Sequence, residues 1–310
     1  MSLPGKIFFL PGVLFSAWTI ALCLLLAGER PALGASSETV LNASLADALN
    51  PQMFRRDFQL KMRAWVFPEN RYGPVKIVFA VQVDKSEMND LVGGELAARV
   101  IADDHDETMG TWESQISDGD PSPWVRTVRL PAGSYTMVVA AITKNQQRVG
   151  NTFYRLKIDA STPRRELEAS SLLLATECQQ ENHGISERQD LFNPLEEESC
   201  ILAPDVMPIA QKDKPLYILF RLYSDSTVSL KRFPGSWQAW VEVRDATGTT
   251  WIRKSVPFTF CSPRGWGVKT TFWPKEFNLK PGVYRVSVSV IGPATENHPY
   301  SAVDSFQIQQ

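Results

Sequence analysis

LPAGSYTMVVAAI, residues 130–142, is met again in the second half of the chain as LKPGVYRVSVSVI, residues 279–291. In each copy proline and glycine make a turn that hands the chain to a run rich in apolar and β-branched residues. A tyrosine stands just after each turn, Tyr135 in the first copy and Tyr284 in the second. In an antiparallel sandwich such a ring enters the core while its hydroxyl reaches backbone near the turn, an arrangement known as a tyrosine corner. The motif speaks of architecture alone, because it recurs in sandwiches of unrelated function.

Moving outward, more segments pair across the two halves. KIVFAVQV, residues 76–83, aligns with LYILFRLY, residues 216–223, and the strand ending Arg99–Asp103 aligns with Val241–Asp245. Trp112 and Trp251 follow the respective hairpins, and YRLKI ending at Ile158 matches SFQI ending at Ile308. Near the start, Phe58, Leu60, Met62, Ala64 and Val66 alternate with Gln59, Lys61, Arg63 and Trp65, the period of a half-buried strand. Residues 95–102, 124–130, 134–143 and 151–158 give further short strands separated by Gly, Pro, Asn and Asp. The expected fold is therefore all-β: two tandem Ig-like antiparallel β-sandwich domains from an internal duplication, after an N-terminal signal peptide.

The expected boundaries are residues 1–34 for the signal peptide and 35–54 for a flexible N-terminal segment. The first sandwich then runs 55–160, a linker 161–170 and the second sandwich 171–310, with a long polar loop at 179–199. The export signal rests on Lys6, the apolar run Val13–Ala27 and the small-x-small pattern Ala32-Leu33-Gly34 before Ala35. The other reading of this stretch is an uncleaved anchor. Pro11-Gly12 interrupts it and leaves the apolar run short of the roughly 20 residues a bilayer span requires. Cys23 lacks the small preceding residue of a lipoprotein cysteine, since Ala21-Leu22 stands before it. Export places Cys178, Cys200 and Cys261 in an oxidising compartment, where Cys178 and Cys200 are the expected disulfide with Cys261 left over, although three cysteines allow other pairings. Closing a loop of that size contributes about 3 kcal/mol in the chain-entropy view.

Hydrophobic residues make up 44% of the chain and charged residues 21%, the balance of a folded protein. The net charge of −2 gives none of the basic excess that neutralising phosphates demands, so no nucleic-acid partner is expected. With the signal removed, no membrane partner is expected either.

The segments DFQLKMRAWVF, KIVFAVQVD, LPAGSYTMVVAAITKN, LLLA and PLYILFRLY resemble the β-rich C-terminal region of secreted bacterial von Willebrand factor A-related proteins. The resemblance covers Asp57–Ile308. The A domain and its D-x-S-x-S metal-ion-dependent adhesion motif are absent, so no adhesion metal site carries over. What the resemblance implies is an envelope or extracellular interaction protein, and nothing about catalysis.

The chain has no G-x-S-x-G, H-E-x-x-H, Walker-type G-x-x-x-x-G-K or C-x-x-C pattern, and its 3 histidines are His105, His183 and His298. The expectation is a non-enzyme without cofactor. A hydrolase whose residues converge only in the fold is kept as an alternative. Asp103, Asp104 and Asp106, with Asp118 and Asp120, offer hard oxygen ligands for calcium, while the matching turn Asp245-Ala246-Thr247-Gly248 speaks for ordinary turn chemistry. In the second half, Ala239, Val241 and Val243 share one face, which sets Trp240, Glu242 and Arg244 on the other. Trp266, between Gly265 and Gly267, adds a loop-tip aromatic. These four are the candidate partner surface, for an envelope or extracellular protein or, as a second reading, a polysaccharide stacking on tryptophan. Localisation is expected to be periplasmic or extracellular.

Overall fold

The computed structural model describes residues 36–53, 55–68, 73–84, 86–117, 123–159, 167–180, 200–224, 237–262, 265–292 and 299–309. The expected signal peptide, most of the linker and most of the 179–199 loop lie outside the described residues.

The chain is all-β. Seven strands form the first sandwich: β1 (Leu60–Phe67), β2 (Val75–Val83), β3 (Glu95–Ala102), β4 (Glu107–Gln115), β5 (Trp124–Leu130), β6 (Gly133–Ile142) and β7 (Val149–Ile158). They make one sheet of order β1-β2-β5 and another of order β4-β3-β6-β7. The second half adds β8 (Leu167–Ala169), β9 (Leu173–Ala175), β10 (Glu177–Gln180), β11 (Cys200–Ala203) and β12 (Ile209–Ala210). Then come β13 (Leu216–Ser224), β14 (Gln238–Asp245), β15 (Thr250–Val256), β16 (Thr259–Ser262), β17 (Gly265–Phe272), β18 (Gly282–Ile291) and β19 (Tyr300–Ile308). Here β8 and β9 both pair with β13, giving β16-β17-β13-β8, and the opposite sheet runs β12-β19-β18-β14-β15. The two halves thus share an Ig-like strand order, β1-β2-β5 answering β9-β13-β17 and β4-β3-β6-β7 answering β15-β14-β18-β19. Such an order is common to many sandwiches, so it describes the fold and not descent.

Both turn tyrosines donate a hydrogen bond to a carbonyl four residues back, Tyr135 to Pro131 and Tyr284 to Lys280, each at 2.9 Å. Their rings are buried and stack into the cores, Tyr284 5.5 Å from Phe306. Burial raises both phenolic pKa values above 10, with a smaller push from Asp104 on Tyr135.

Taken as fixed points, the tyrosines correct the sequence alignment of the halves. Tyr135 lies opposite Ala102 and Tyr284 opposite Asp245, so Ala102 answers Asp245, one residue out from the alignment read off the sequence. In β2 and β13 the core residues are Ile77 and Phe79 against Ile218 and Phe220, again one residue out. In a strand of period two that slip exchanges the two faces. Trp112 and Trp251 also part company: Trp112 packs edge-on against Phe79 at 5.2 Å, whereas Trp251 is 40% exposed at a bulge.

The segment expected to be a flexible lead-in is instead helix α1 (Ser37–Asp47). The Ser36 side chain caps it by accepting from the Thr39 amide, and Val40, Leu41, Leu45 and Ala48 are buried against Ala97, Val138, Ala140, Ile142 and Val149. Asn151 donates to the Ser44 carbonyl at 2.9 Å, and Arg99 bonds Asn42. A helix therefore covers the outer face of β3-β6-β7. A one-turn helix α2 (Met88–Leu91) closes the connection before β3, with Leu91 buried.

The polar side assigned to the first strand is also covered. Trp65 and Phe67 pack with Val78 and Ala80 against Leu173, Ala175, Leu202, Leu219 and Tyr223 of the second half. This seam explains why Trp65 is fully buried although it alternates with core residues. Ser171 ties it together, its amide donating to the Val66 carbonyl and its hydroxyl accepting from the Val66 amide, both at 3.0 Å.

Candidate functional site

Alternation does the positioning on the β12-β19-β18-β14-β15 sheet of the second half. On β14, Ala239, Val241 and Val243 go into the core, so Trp240, Glu242 and Arg244 go out. On β18 the inward set is Tyr284, Val286, Val288 and Val290, which turns Arg285, Ser287 and Ser289 out. The registers set these side chains in rows across the sheet. Ser255, Trp240, Ser289 and Ser301 form one row, and Arg253, Glu242, Ser287 and Val303 the next. Thr250, Arg244, Arg285 and Ser305 form the third. Neighbouring strands lie about 4.8 Å apart, so the rows make a continuous surface of hydroxyls, guanidinium groups, one carboxylate, one valine and one indole.

The indole is held. Arg253 lies over the Trp240 ring at 5.4 Å, and Trp240 itself is half-buried. Glu242 bonds Arg244. At the end of the hairpin the Asp245 carboxylate accepts from the Thr247 hydroxyl at 2.6 Å and from the Trp251 indole at 2.8 Å. Those two bonds, with the amides of Thr249 and Thr247, hold the Asp245 carboxyl down at about 2. Sequence reasoning found Trp240, Glu242 and Arg244 and overlooked Arg253, Arg285 and the serines. The alternation in RVSVSVI would have turned Arg285, Ser287 and Ser289 outward once Tyr284 was set inside.

The remaining sequence candidates are not brought to this face. The side chain of Trp266 lies outside the described residues. Asp103 accepts from the Thr136 hydroxyl at 2.7 Å, and Asp106 sits in the hairpin turn with φ of 51°. Asp118 and Asp120 lie outside the described residues, among which no group of three His, Cys, Asp or Glu could hold a metal. His105 is exposed in the same turn, and His183 and His298 lie outside the described residues. Cys178 pairs with Leu202 and Cys200 with Gln180, a ladder two positions out of register for a directly opposed pair, and no disulfide is found among the described residues.

A concavity lies where the halves meet, a cleft of about 320 Å³ whose lining includes Lys61, Asp84, Glu177 and Lys214. Met207 and Ile209 stand exposed at its edge. Its charges are of both signs, and Lys61 and Asp84 face each other at 4.0 Å. Deeper in the contact, Arg63 reaches from β1 to Asp304 of β19 at 2.6 Å. Burial raises the Asp304 carboxyl pKa above the usual range, and Arg63 acts in the opposite direction.

No family model matches the chain, and no curated protein matches it. Among solved structures it is similar to a 1.5-MDa bacterial ice-binding adhesin at 9% identity, covering 82% of this chain and 65% of that one, with a TM-score of 0.23. It is similar to a Bifidobacterium dentium β-glucuronidase at 10% identity over 84% of this chain and 42% of that one, TM-score 0.27. Chicken interferon gamma receptor alpha chain gives 9% identity over 82% of this chain and 100% of that one, TM-score 0.22. The chain thus spans less than two thirds of the adhesin and glucuronidase chains. Likeness at this level assigns no role. Among the described residues no helix is long and apolar enough to cross a membrane.

Proposed function

We propose that this chain is a non-catalytic, exported interaction module that engages its partner on the outer face of β15-β14-β18-β19. One observation carries the reading. The answering face of the first sandwich is covered by the chain's own helix α1, whereas here the same side bears Trp240 among hydroxyls and arginines, with Val303 52% exposed. A covered face in one half and an open one in the other favours the open face as the contact surface. Export rests on Lys6, Val13–Ala27 and the Ala32-Leu33-Gly34 pattern. An exported partner is a protein of the envelope or outside it, or a polysaccharide. The second of these is favoured by a held indole with serines on both sides of it in the row.

Two measurements test the proposal. Fractionation of cells expressing the tagged chain should place it outside the cytoplasm; retention in the cytoplasm would refute export. A photo-crosslinker at Ser287, at the centre of the face, should yield adducts in envelope fractions that the same group at Lys157 does not. Equal labelling at both positions, or none at Ser287, removes the face from consideration.

A further inference from the structure

The charge on this face is lopsided for a protein whose net charge is −2. Arg244, Arg253 and Arg285 point out alongside a single carboxylate, Glu242. Glu242 bonds Arg244 and stands opposite Arg253. Arg285 stands directly opposite Arg244, and no acidic partner for it is found among the described residues. Like charges set opposite each other on neighbouring strands destabilise a sheet.

The rest of the face narrows the class of anion. A protein–protein contact has an apolar core, and here one half-buried indole and Val303 are surrounded by Ser255, Ser287, Ser289, Ser301 and Ser305. A nucleic acid is held by many phosphate contacts made by Lys and Arg, whereas this face carries only three arginines offset by Glu242. Hydroxyls that both donate and accept suit sugar hydroxyls, guanidinium forks suit carboxylates and other planar or tetrahedral oxyanions, and the held Trp240 ring suits the apolar face of a sugar ring. We propose that the face binds an acidic polysaccharide, with Arg244 and Arg285 taking its anionic groups and Trp240 a neighbouring sugar ring. This rests on the proposed role of the same face as the contact surface.

Affinity electrophoresis of the full-length chain tests it, in gels containing polygalacturonate, dextran sulfate, neutral dextran or single-stranded DNA. Polygalacturonate should retard the chain and neutral dextran should not, with the retardation weakening between about 50 mM and about 500 mM salt. R244Q/R285Q should weaken binding about tenfold or more, as expected for two charge-assisted contacts, while K157Q leaves it unchanged. Retardation by dextran sulfate alone would support the acidic-polysaccharide class and assign sulfate as the group recognised. Retardation by neutral dextran that survives R244Q/R285Q but not W240A would overturn the acidic class and leave the face standing as the contact surface. Stronger retardation by DNA, or none by any polymer, overturns the polysaccharide proposal. In that case crosslinking from Ser287 decides separately whether the face engages a protein.

Discussion

Arg63 and Asp304 form the contact between the halves whose removal is easiest to reason through. The Asp304 side chain is 3% exposed and the Arg63 side chain 26% exposed, and they meet at 2.6 Å. The second carboxylate oxygen of Asp304 is buried without a hydrogen-bond partner, so the ion depends on Arg63 and on the Ser305 amide. Arg63→Met removes the guanidinium group that lies over the Trp65 ring at 5.2 Å and strands the carboxylate. Stranding a buried charge costs about 3–5 kcal/mol. Asp304→Asn leaves a neutral group in the pocket and an arginine able to reach water, so its loss should be nearer 1–2 kcal/mol. The double variant should be only about 0.5–1 kcal/mol worse than Asp304→Asn alone, the loss of the guanidinium over Trp65, since the charge that Arg63 served is gone. The sign with pH follows from burial. The folded-state carboxyl pKa is raised, so folding favours the protonated form and stability falls as pH rises through the window above the unfolded value of about 3.9. Losing Arg63 moves that window further up, so the Arg63→Met deficit should be full near pH 8 and fade toward about pH 4. Urea denaturation of the four proteins across that range is the assay. A deficit for Arg63→Met that is no larger than that of Asp304→Asn and independent of pH would refute the reasoning.

Three further outcomes follow from the geometry. Tyr135→Phe and Tyr284→Phe each remove one hydroxyl-to-carbonyl bond and should each cost about 1 kcal/mol in thermal unfolding, adding in the double variant because they sit in different cores. Asn151→Ala releases Ser44 from the sheet and should cost about 2 kcal/mol, with hydrogen exchange showing the α1 amides losing protection before those of β6. Asp245 should titrate at about 2 by carboxyl NMR, and Trp251→Phe should return it toward 3.8. Its depressed folded value means that its contribution is present above the unfolded pKa and is lost as pH falls through about 2, so a Trp251→Phe protein with an unmoved Asp245 titration would refute the indole's role.

The all-β class was legible because turn and strand signals sit close together in LPAGSYTMVVAAI and LKPGVYRVSVSVI, where proline, glycine and tyrosine act within a few residues. The sides of β14 were legible too, since Ala239, Val241 and Val243 against Glu242 and Arg244 leave one choice of face. What the sequence hid was whatever a distant element decides. Trp65 reads as the outer side of a half-buried strand and becomes core only because Leu219 and Tyr223 arrive from the other half. Helix α1 has too weak an apolar stripe to stand out beside strand patterns, and its burial depends on Ala97, Val138 and Ala140 far along the chain. Counting offsets between the halves failed by one residue because unequal loops shift the count, and a period-two element turns a shift of one into a change of side.

With the tyrosines as fixed points, the two outer faces can be compared position by position, and the comparison bears on function. Ala97, Val138 and Ala140 of the first half answer Trp240, Ser287 and Ser289 of the second, and Thr136 answers Arg285. The first set is small and apolar, which is what a helix needs to approach a sheet closely, and α1 lies on it. In the second set an indole, two hydroxyls and a guanidinium group occupy those positions. A helix laid on them would have to desolvate Arg285 and Glu242, at a cost that apolar packing on Trp240 alone does not offset. The substitutions that close one face therefore keep the other open to water. An open face whose charges are only partly matched within the chain is the reason a polar, anionic partner is proposed for it and not another apolar element. That difference at equivalent positions, and not the fold the halves share, is what the proposed contact surface rests on.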